Sequence, residues 1–295
     1  MRKLVVILMI GMLLLPAIAQ VGYAVNPFVL VYGGPEYEAA LGVAASGGGV
    51  YTVGATNSTT VPGDFSDGFI VRHMPSGIIE WAKLINMSMI DFVSRPAVDS
   101  AGDVYVAGHT GAIGPDTDLF MAFMSSDGSW GWILVFNDTL YRIDVARGIY
   151  IDQDYVYLVG SSFDRDSDVI VAKIYRSNWT VAWAYLYGEP FTNETGTGII
   201  VDPSGNIYVS GHTNTTGILG FPPSGDINML VYMINPDGTL NWSIVIDLPP
   251  SDYDFTYNLD MDEYGNIYVV GEARETVIGN DIILAKLYPN GTIQW

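Results

Sequence analysis

The sequence predicts an all-β protein, and more specifically a β-propeller of four-stranded antiparallel blades. One five-residue phrase occurs five times: a β-branched residue, a tyrosine, two small or apolar residues and a glycine, with the glycines 51 to 60 residues apart. A tryptophan recurs at a similar interval. Repeats of this length, rich in β-branched and aromatic residues, are typical of propellers. The repeat residues are Tyr51, Tyr105, Tyr157, Tyr208, Tyr268, Gly54, Gly108, Gly160, Gly211, Gly271, Trp81, Trp132, Trp183, Trp242 and Trp295.

The fourth repeat divides into four predicted strands. Residues 198–202, 206–211, 229–234 and 239–246 are apolar or β-branched runs. Turn residues separate the first pair and the last pair, because proline presets φ and glycine accepts positive φ. The second and third strands are apolar nearly throughout, which is typical of a sheet covered on both faces.

The recurring tyrosines and tryptophans are predicted to pack between blades, and the recurring glycines to permit a sharp turn or a close backbone approach. A row of aromatic residues could instead line a sugar-binding groove. Core packing is the favoured interpretation, since these positions lie inside strands of every repeat.

Two stretches of the chain resemble a known repeat family. Residues 183–188 (WAYLYG) with 198–213 (GIIVDPSGNIYVSGHT), and residues 281–295 (DIILAKLYPNGTIQW), are similar to the SBBP repeat of secreted β-propellers. The similarity extends over residues 27–295. It implies an extracellular or cell-surface protein, and the family name implies more blades than the five repeats present here. The third repeat departs from the family pattern, with Asp152-Gln153-Asp154 at the turn.

The number of blades has two interpretations. Residues 28–33 align with residues 183–188, so the chain starts with a fourth-type strand and reaches Trp295 in another. Pairing of the first segment with the last blade would close a five-bladed ring and remove exposed edges. The alternative is part of a larger propeller. Residues 25–295 are expected to form one domain.

The N-terminus predicts export. Arg2 and Lys3 precede an apolar run over residues 4–15, and small residues follow. This pattern indicates a signal peptide over residues 1–24, cleaved after residue 19 or 24. The run is shorter than a membrane-spanning helix requires, although an uncleaved anchor remains an alternative. The expected location is extracellular or at the cell surface, with no transmembrane span after cleavage.

The composition is strongly acidic, with 12 Lys and Arg against 32 Asp and Glu. Nucleic acids need clustered basic residues, so they are excluded as partners. Anionic membranes are excluded for the same reason. Two explanations of the acidity are open. The first is solubility, and the second is an acidic working environment, in which many carboxylates would be protonated. There is no cysteine, so disulfides are excluded.

The chain contains eight N-x-Ser/Thr sequons, which is a dense set for one exported protein. They predict a glycosylated surface. The sequon asparagines are Asn57, Asn86, Asn137, Asn178, Asn193, Asn214, Asn241 and Asn290. Asn178 and Asn241 lie beside the tryptophan positions and are expected to be the more shielded.

Catalytic motifs for zinc proteases, α/β-hydrolases and phosphate-binding loops are absent from the sequence. Three histidines, His73, His109 and His212, are the near-neutral acid–base groups. His109 and His212 follow the recurring glycine and are predicted to begin loops. Hydrogen bonding in those loops is the favoured role, and a shared metal or catalytic pair is the alternative. No catalytic or cofactor-binding residue is assigned.

An aspartate recurs at the start of the third strand: Asp67, Asp118, Asp168 and Asp281, with Asn228 in the fourth repeat. These side chains are predicted to cap loops. The third copy carries alternating carboxylates, Asp164, Asp166 and Asp168, which could converge on calcium. Calcium is the one cofactor considered.

The predicted function is a secreted, glycosylated, non-catalytic binding, adhesion or scaffold module, with other surface proteins or glycans as partners. The alternative is an extracellular carbohydrate-active enzyme, a glycoside hydrolase or lyase, that uses acidic loop residues.

Overall fold

The structure is a computed structural model that describes residues 5–9, 23–26, 29–31, 33, 36–57, 65–111, 117–129, 131–137, 143–163, 166–214, 226–248, 253–275 and 279–295. All regular elements in these ranges are β-strands. None of the described residues belongs to a helix with the length and apolar character needed to cross a membrane. The chain forms two compact units, residues 1–146 and 147–295.

Unit 1 contains two four-stranded antiparallel sheets, β4–β7 and β8–β11. Strand β1 adds to the outer edge of β11, and β2 pairs with β3. The strands are β1 (Val5–Met9), β2 (Tyr23–Asn26), β3 (Val29–Val31), β4 (Glu38–Ser46), β5 (Gly49–Thr56), β6 (Asp67–His73), β7 (Ile79–Ile85), β8 (Ile90–Val98), β9 (Val104–Gly111), β10 (Thr117–Met124) and β11 (Gly131–Asn137).

Unit 2 contains the sheets β12–β15, β16–β19 and the three-stranded β20–β22, and β12 spans the boundary between the units. The strands are β12 (Ile143–Ile151), β13 (Tyr155–Phe163), β14 (Ser167–Tyr175), β15 (Val181–Tyr187), β16 (Glu194–Val201), β17 (Ile207–Thr213), β18 (Asn228–Ile234), β19 (Leu240–Ile246), β20 (Tyr253–Met261), β21 (Ile267–Glu275) and β22 (Gly279–Leu287). The predicted all-β fold of mostly four-stranded antiparallel sheets is confirmed.

The fourth repeat follows the predicted strand order, with two differences at one end of the sheet. Strand β16 begins at Glu194, four residues before the predicted start, and β17 continues through His212 to Thr213. The tight turns are as predicted: Gly205 and Gly238 have φ of +84° and +87°. The prediction that His109 and His212 begin loops was wrong, because both lie within strands that pair on both sides.

The recurring glycine lies opposite a β-bulge in the first strand of its sheet. The register of β16 with β17 shifts between Gly196 and Gly198, directly beside Gly211. A Cβ on Gly211 would collide with the carbonyl of Thr195. Gly54, Gly108 and Gly271 have the same close approach to a first-strand carbonyl. The repeat therefore needs glycine because the bulged backbone occupies the space of a side chain.

The recurring tyrosines lie inside the sheets, where Tyr51, Tyr105, Tyr157 and Tyr208 are at most 2% exposed. The tryptophans pack against them or near them, as for Tyr51 and Trp81, whose ring centroids are 5.9 Å apart. Two of the tryptophans also donate to a turn of the next repeat: Trp81 Nε1 to the carbonyl of Ser126 at 2.9 Å, and Trp183 Nε1 to the carbonyl of Pro236 at 3.2 Å. These aromatic residues thus pack and hydrogen-bond neighbouring repeats together.

Candidate functional site

Each sheet has one end where its first strand begins, its second ends and its third begins, which we call the carboxylate end. An acidic residue is the first or second residue of the first strand in every repeat, and Asp, or Asn in one repeat, is among the first three residues of the third strand. The first-strand acids are Glu38, Asp91, Asp144, Glu194 and Asp254. Four of these five are at most 4% exposed, and Glu38 is half-buried. Burying an ionised carboxylate costs free energy unless it is paired or hydrogen-bonded. The buried acids at this end of each sheet are therefore candidate functional residues.

Two carboxylates converge over Gly188 at one carboxylate end in unit 2. A Cβ on Gly188 would collide with Asp168 Oδ1 and would lie 2.7 Å from Glu194 Oε2. The pairing of Ser167 with Asn193 brings the start of β14 beside the start of β16. Glu194 Oε1 accepts a hydrogen bond from Thr213 Oγ1 at 2.7 Å. Glu194 Oε2 is buried without a close hydrogen bond, while hydrogen bonding from the Thr192 side chain and the Glu189 backbone favours the ionised form of the carboxyl group.

The negative charge of one carboxylate makes ionisation of the other less favourable. Burial, with the charge of Asp168 as a smaller contribution, raises the pKa of Glu194 above its ordinary value. Burial, with the charges of Glu194, Asp168 and Glu189, raises the pKa of the Tyr232 hydroxyl. Gly188 is exposed while Glu194 is 2% exposed, so the pair lies just beneath the surface.

His212 lies at the same end of the same sheet and pairs with Thr195. Its ring meets the edge of Phe255, with centroids 5.1 Å apart. Burial, with the positive charge of Arg147 as a second cause, lowers the pKa of His212 to about 4. The imidazole is therefore neutral at neutral pH, and its buried Nδ1 has no hydrogen-bond partner. A neutral imidazole can accept a proton.

A row of aromatic side chains on β20 continues from His212. Tyr253 and Phe255 stack with their ring planes 6° apart, and the Arg274 guanidinium lies 5.2 Å from the centre of the Phe255 ring. Tyr253 is 37% exposed and Tyr257 48% exposed. Tyr257 is the extra residue of a β-bulge, which turns its side chain towards Arg274 and Glu272. Exposed aromatic rings beside charged groups form a surface suited to a sugar, whose ring faces are apolar and whose hydroxyls are polar.

The side chains predicted to bind calcium do not all point to one place. Asp164 lies outside the described residues. Asp166 Oδ2 accepts a hydrogen bond from the backbone N–H of Phe191 at 2.8 Å, whereas Asp168 faces Gly188 and Glu194. Within the described ranges, no three or more His, Asp and Glu side chains are arranged as a metal site.

The other histidines have packing partners in unit 1. The His109 ring stacks on Phe92, with centroids 5.1 Å apart. His73 is 5% exposed, its Nε2 lies 3.4 Å from Thr52 Oγ1, and burial lowers its pKa. Of the sequon asparagines, Asn57, Asn178, Asn193, Asn241 and Asn290 are exposed, and Asn86 and Asn214 are half-buried. The expectation that Asn178 and Asn241 are the more shielded was therefore wrong. The side chain of Asn137 lies outside the described residues.

Sequence reasoning missed the first-strand acids and the aromatic row. A weak signal for the acids exists: in all four places an Asp or Glu follows the recurring tryptophan by 10 to 12 residues. The alternation of Tyr253, Phe255 and Tyr257 is visible in the sequence, although the bulge that groups these rings is not.

Comparison with known proteins identifies the repeat. Residues 182–218 form a beta-propeller repeat of the SBBP type. This stretch contains the recurring five-residue sequence of the second strand, residues 207–211, and also Gly188, Glu194 and His212. No curated protein matches the chain.

Solved structures share the propeller fold at low identity. One is an ulvan lyase of polysaccharide lyase family PL25, with 11% identity over 84% of this chain and 68% of that chain and a TM-score of 0.56. A second is the periplasmic gluconolactonase of Pseudomonas aeruginosa, with 12% identity over 91% and 73% and a TM-score of 0.55. A third is a subtype N11 neuraminidase-like protein, with 13% identity over 90% and 77% and a TM-score of 0.54.

These comparisons contradict the prediction of a non-catalytic binding, adhesion or scaffold module. The similar propellers are described as a lyase, a lactonase and a neuraminidase-like protein. They favour the alternative, a carbohydrate-active enzyme. The prediction was wrong because the catalytic motifs sought were local in sequence, whereas a propeller assembles a site from several strands.

Proposed function

We propose that this protein is an exported carbohydrate-active enzyme whose proton-accepting group is the imidazole of His212. The observation that carries this proposal is a neutral imidazole at the end of an exposed aromatic row. General bases need a proton-free nitrogen at the working pH, and burial supplies it here.

Sugar binding is assigned to the row on β20. The exposed faces of Tyr253 and Tyr257 would hold sugar rings, and Arg274 and Glu272 would bind hydroxyl groups. Arg147 is exposed as a residue, burial lowers the pKa of its guanidinium, and its charge reaches His212. A cation beside a base suits a substrate with its own carboxylate, which is the chemistry of a uronic acid.

The reaction class that fits these groups is β-elimination from a uronate-containing polysaccharide. Arg147 would neutralise the uronate carboxylate and so acidify the neighbouring C–H. His212 would take that proton, the electron pair of the C–H bond would form a carbon–carbon double bond, and the bond to the leaving oxygen would break. The leaving oxygen would then gain a proton from a phenol such as Tyr257, whose raised pKa keeps it protonated.

The test is incubation with uronate polysaccharides, including ulvan, and with neutral ones, followed by mass spectrometry of the products. Elimination leaves an unsaturated sugar that is lighter by one water than the product of hydrolysis. We expect unsaturated products from the wild type and at least about 100-fold less from His212→Ala. Tyr264→Phe, at a position 77% exposed in a turn, is the matched control. Equal product from His212→Ala would contradict the proposal.

Glycoside hydrolysis by Asp168 and Glu194 is the second candidate, because a carboxylic acid of raised pKa beside a second carboxylate is the pairing that glycosidases use. Its weakness is access, since Glu194 is 2% exposed. The same assay separates the two: hydrolysis would give saturated products, lost in Glu194→Gln and retained in His212→Ala.

Secretion, glycosylation and closure of the five repeats into one ring are also proposed here, on the signal-peptide pattern, the exposed sequons and the repeat count. N-terminal sequencing and the mass of the natively exported protein, before and after deglycosylation, test the first two. We expect an N-terminus at residue 20 or 25 and a mass that falls on deglycosylation. A retained residue 1 or an unchanged mass would contradict them.

A further inference from the structure

Three successive sheets of unit 2 each present an exposed aromatic side chain at the carboxylate end. Phe163 is the last residue of β13 and is 44% exposed, and Phe191 lies in the loop before β16 and is 82% exposed. Tyr253 begins β20 and is 37% exposed. A single exposed ring needs no explanation, but three rings at the same end of neighbouring sheets form a candidate binding surface, which we call the aromatic track.

Backbone pairing between the sheets brings the three rings of the track together. The parallel bridge of Ser167 with Asn193 joins the first of these sheets to the second, and the bridge of Ile227 with Tyr253 joins the second to the third. Five strand spacings of about 4.8 Å separate β13 from β20 along this path, so the track is up to about 24 Å long. That length accommodates a chain of several sugars.

Phe191 holds its exposed ring in a conformation that phenylalanine rarely adopts. Its φ is +69°, in the left-handed region, which strains a residue with a bulky side chain. Bonds that do not involve the ring hold this conformation: Phe191 N–H donates to Asp166 Oδ2, and Thr192 Oγ1 donates to the carbonyl of Glu189, both at 2.8 Å. The ring gains little from burial, so folding does not explain the choice of phenylalanine. Backbone strain of this kind is typical of functional loops.

Polar groups flank Phe191 in the sequence and in space. Glu189 and Asn193 are exposed, and Asp166, which accepts the Phe191 N–H, is half-buried. Carboxylate and amide groups hydrogen-bond sugar hydroxyls, while an aromatic ring packs against the apolar face of a sugar. Two carboxylates beside this residue would repel the carboxylate of a uronate, so the sugar expected over Phe191 is a neutral one.

From this geometry we infer that Phe163, Phe191 and Tyr253 bind successive parts of one polysaccharide chain, with a neutral sugar over Phe191. Phe191 precedes Thr195, the strand partner of His212, by four residues, which places it up to about 13 Å along the strand from the proposed base. Strand β17 lies between β16 and β20 in the path of the track, so sugars are held on both sides of the cleaved bond. The substrate class is therefore a polymer of uronate and neutral sugars that is cut within the chain. This inference rests on the proposed function for the position of the cleaved bond.

The experiment measures binding separately from cleavage, as the retardation of the full chain in native gels that contain a polysaccharide. The His212→Ala background keeps the polymer intact, and the probes are hyaluronan and rhamnogalacturonan, which alternate uronate and neutral sugars. Phe191→Asn removes the ring and keeps a residue that accepts the left-handed backbone. We expect about 10-fold weaker binding from this variant, because the ring no longer loses water to a sugar face. Its Tm should not fall.

Three controls complete the design. Phe191→Tyr keeps an aromatic ring and should keep the affinity. Tyr264→Asn removes a ring of similar exposure, 77%, in a turn at the opposite end of its sheet, and should bind as before. Polygalacturonate carries a carboxylate on every sugar, so it should bind weakly and to the same extent with and without Phe191.

The outcomes separate this inference from the proposed function. Equal binding of the mixed polymers by Phe191→Asn, or binding of none of them by the parent protein, would overturn the inference. An equal dependence of polygalacturonate binding on Phe191 would overturn the assignment of a neutral sugar. Cleavage of a polymer without any effect of Phe191 would leave the proposed function standing and overturn only the track. Binding that depends on Phe191, without cleavage by the wild type, would support the track and contradict the proposed function.

Discussion

The carboxylate ends of the sheets β8–β11 and β16–β19 start from the same repeat position and treat it differently. In unit 1, Asp91 is fully buried and accepts hydrogen bonds from the backbone N–H groups of Met87 and Ser88 at 2.8 and 3.1 Å. In unit 2, Glu194 is equally buried, interacts with Thr213, Thr192 and the Glu189 backbone, and extends over Gly188 towards Asp168. The first acid is held by close backbone N–H groups, whereas the second lies beside another carboxylate.

The residue after the preceding outer strand also differs between the two sheets. Asn86 holds that position before Asp91, and Gly188 holds it before Glu194. The shorter carboxylate folds back onto its own loop, whereas the longer one extends over the glycine. The same repeat position thus holds carboxylates that differ in length and in the groups they reach.

The largest expected effect concerns the two histidines at the carboxylate ends of these sheets. His109 and His212 occupy the same repeat position, but His109 stacks flat on Phe92 whereas His212 meets the edge of Phe255 under the influence of Arg147. We expect His212→Ala to lower the rate of polysaccharide cleavage by about 10² to 10⁴-fold. His109→Ala should leave the rate per folded molecule unchanged. Initial rates, normalised by circular dichroism, measure both.

Substitution of the two buried acids, Asp91 and Glu194, should change the free energy of unfolding by different amounts. Asp91→Ala leaves two backbone donors without an acceptor, so it should lower the free energy of unfolding by about 3 kcal/mol. Glu194→Gln should lower it by less than about 1 kcal/mol or raise it, because a buried charge is removed while the bond from Thr213 persists. Urea unfolding measures both. Equal losses would show that the two acids do the same work.

The pH dependence of stability gives a third test. Because the folded-state pKa of Glu194 is raised above 4.5, the folded protein binds more protons than the unfolded chain between those two values. The contribution is fully present below 4.5 and is lost as pH rises through the folded-state pKa. The wild type should thus lose stability relative to Glu194→Gln on going from acidic to neutral pH. A constant difference across this range would argue against a raised pKa.

The smallest expected effect concerns the aromatic row. Tyr257→Ala removes a half-exposed ring that would hold one sugar, so it should raise KM about 5-fold with little change in kcat. Tyr264→Ala, at the opposite end of the sheet β20–β22, should change neither. A fall in kcat without a change in KM would instead place Tyr257 at the reacting bond.

The repeat pattern predicted the sheets well because it has a local physical cause. Gly211 is required by the bulge beside it, and Tyr208 by the space inside the blade, so both recur in every copy. The carboxylate pair could not be predicted in this way. Asp168 and Glu194 are 26 residues apart, and they meet only because β14 and β16 start side by side. The run Asp164, Asp166 and Asp168 suggested a local calcium site, but the hydrogen bond to Phe191 directs Asp166 elsewhere.

The most direct test of the account is the pH–rate profile of polysaccharide cleavage by the wild type and by His212→Gln. A neutral, buried His212 predicts unsaturated products and a rate that stays high down to mildly acidic pH. The rate should then fall on the acid side with an apparent pKa near 4, and that limb should be absent from the residual activity of His212→Gln. Saturated products, or an identical profile for the variant, would contradict the central claim that His212 is the base of a carbohydrate-active site.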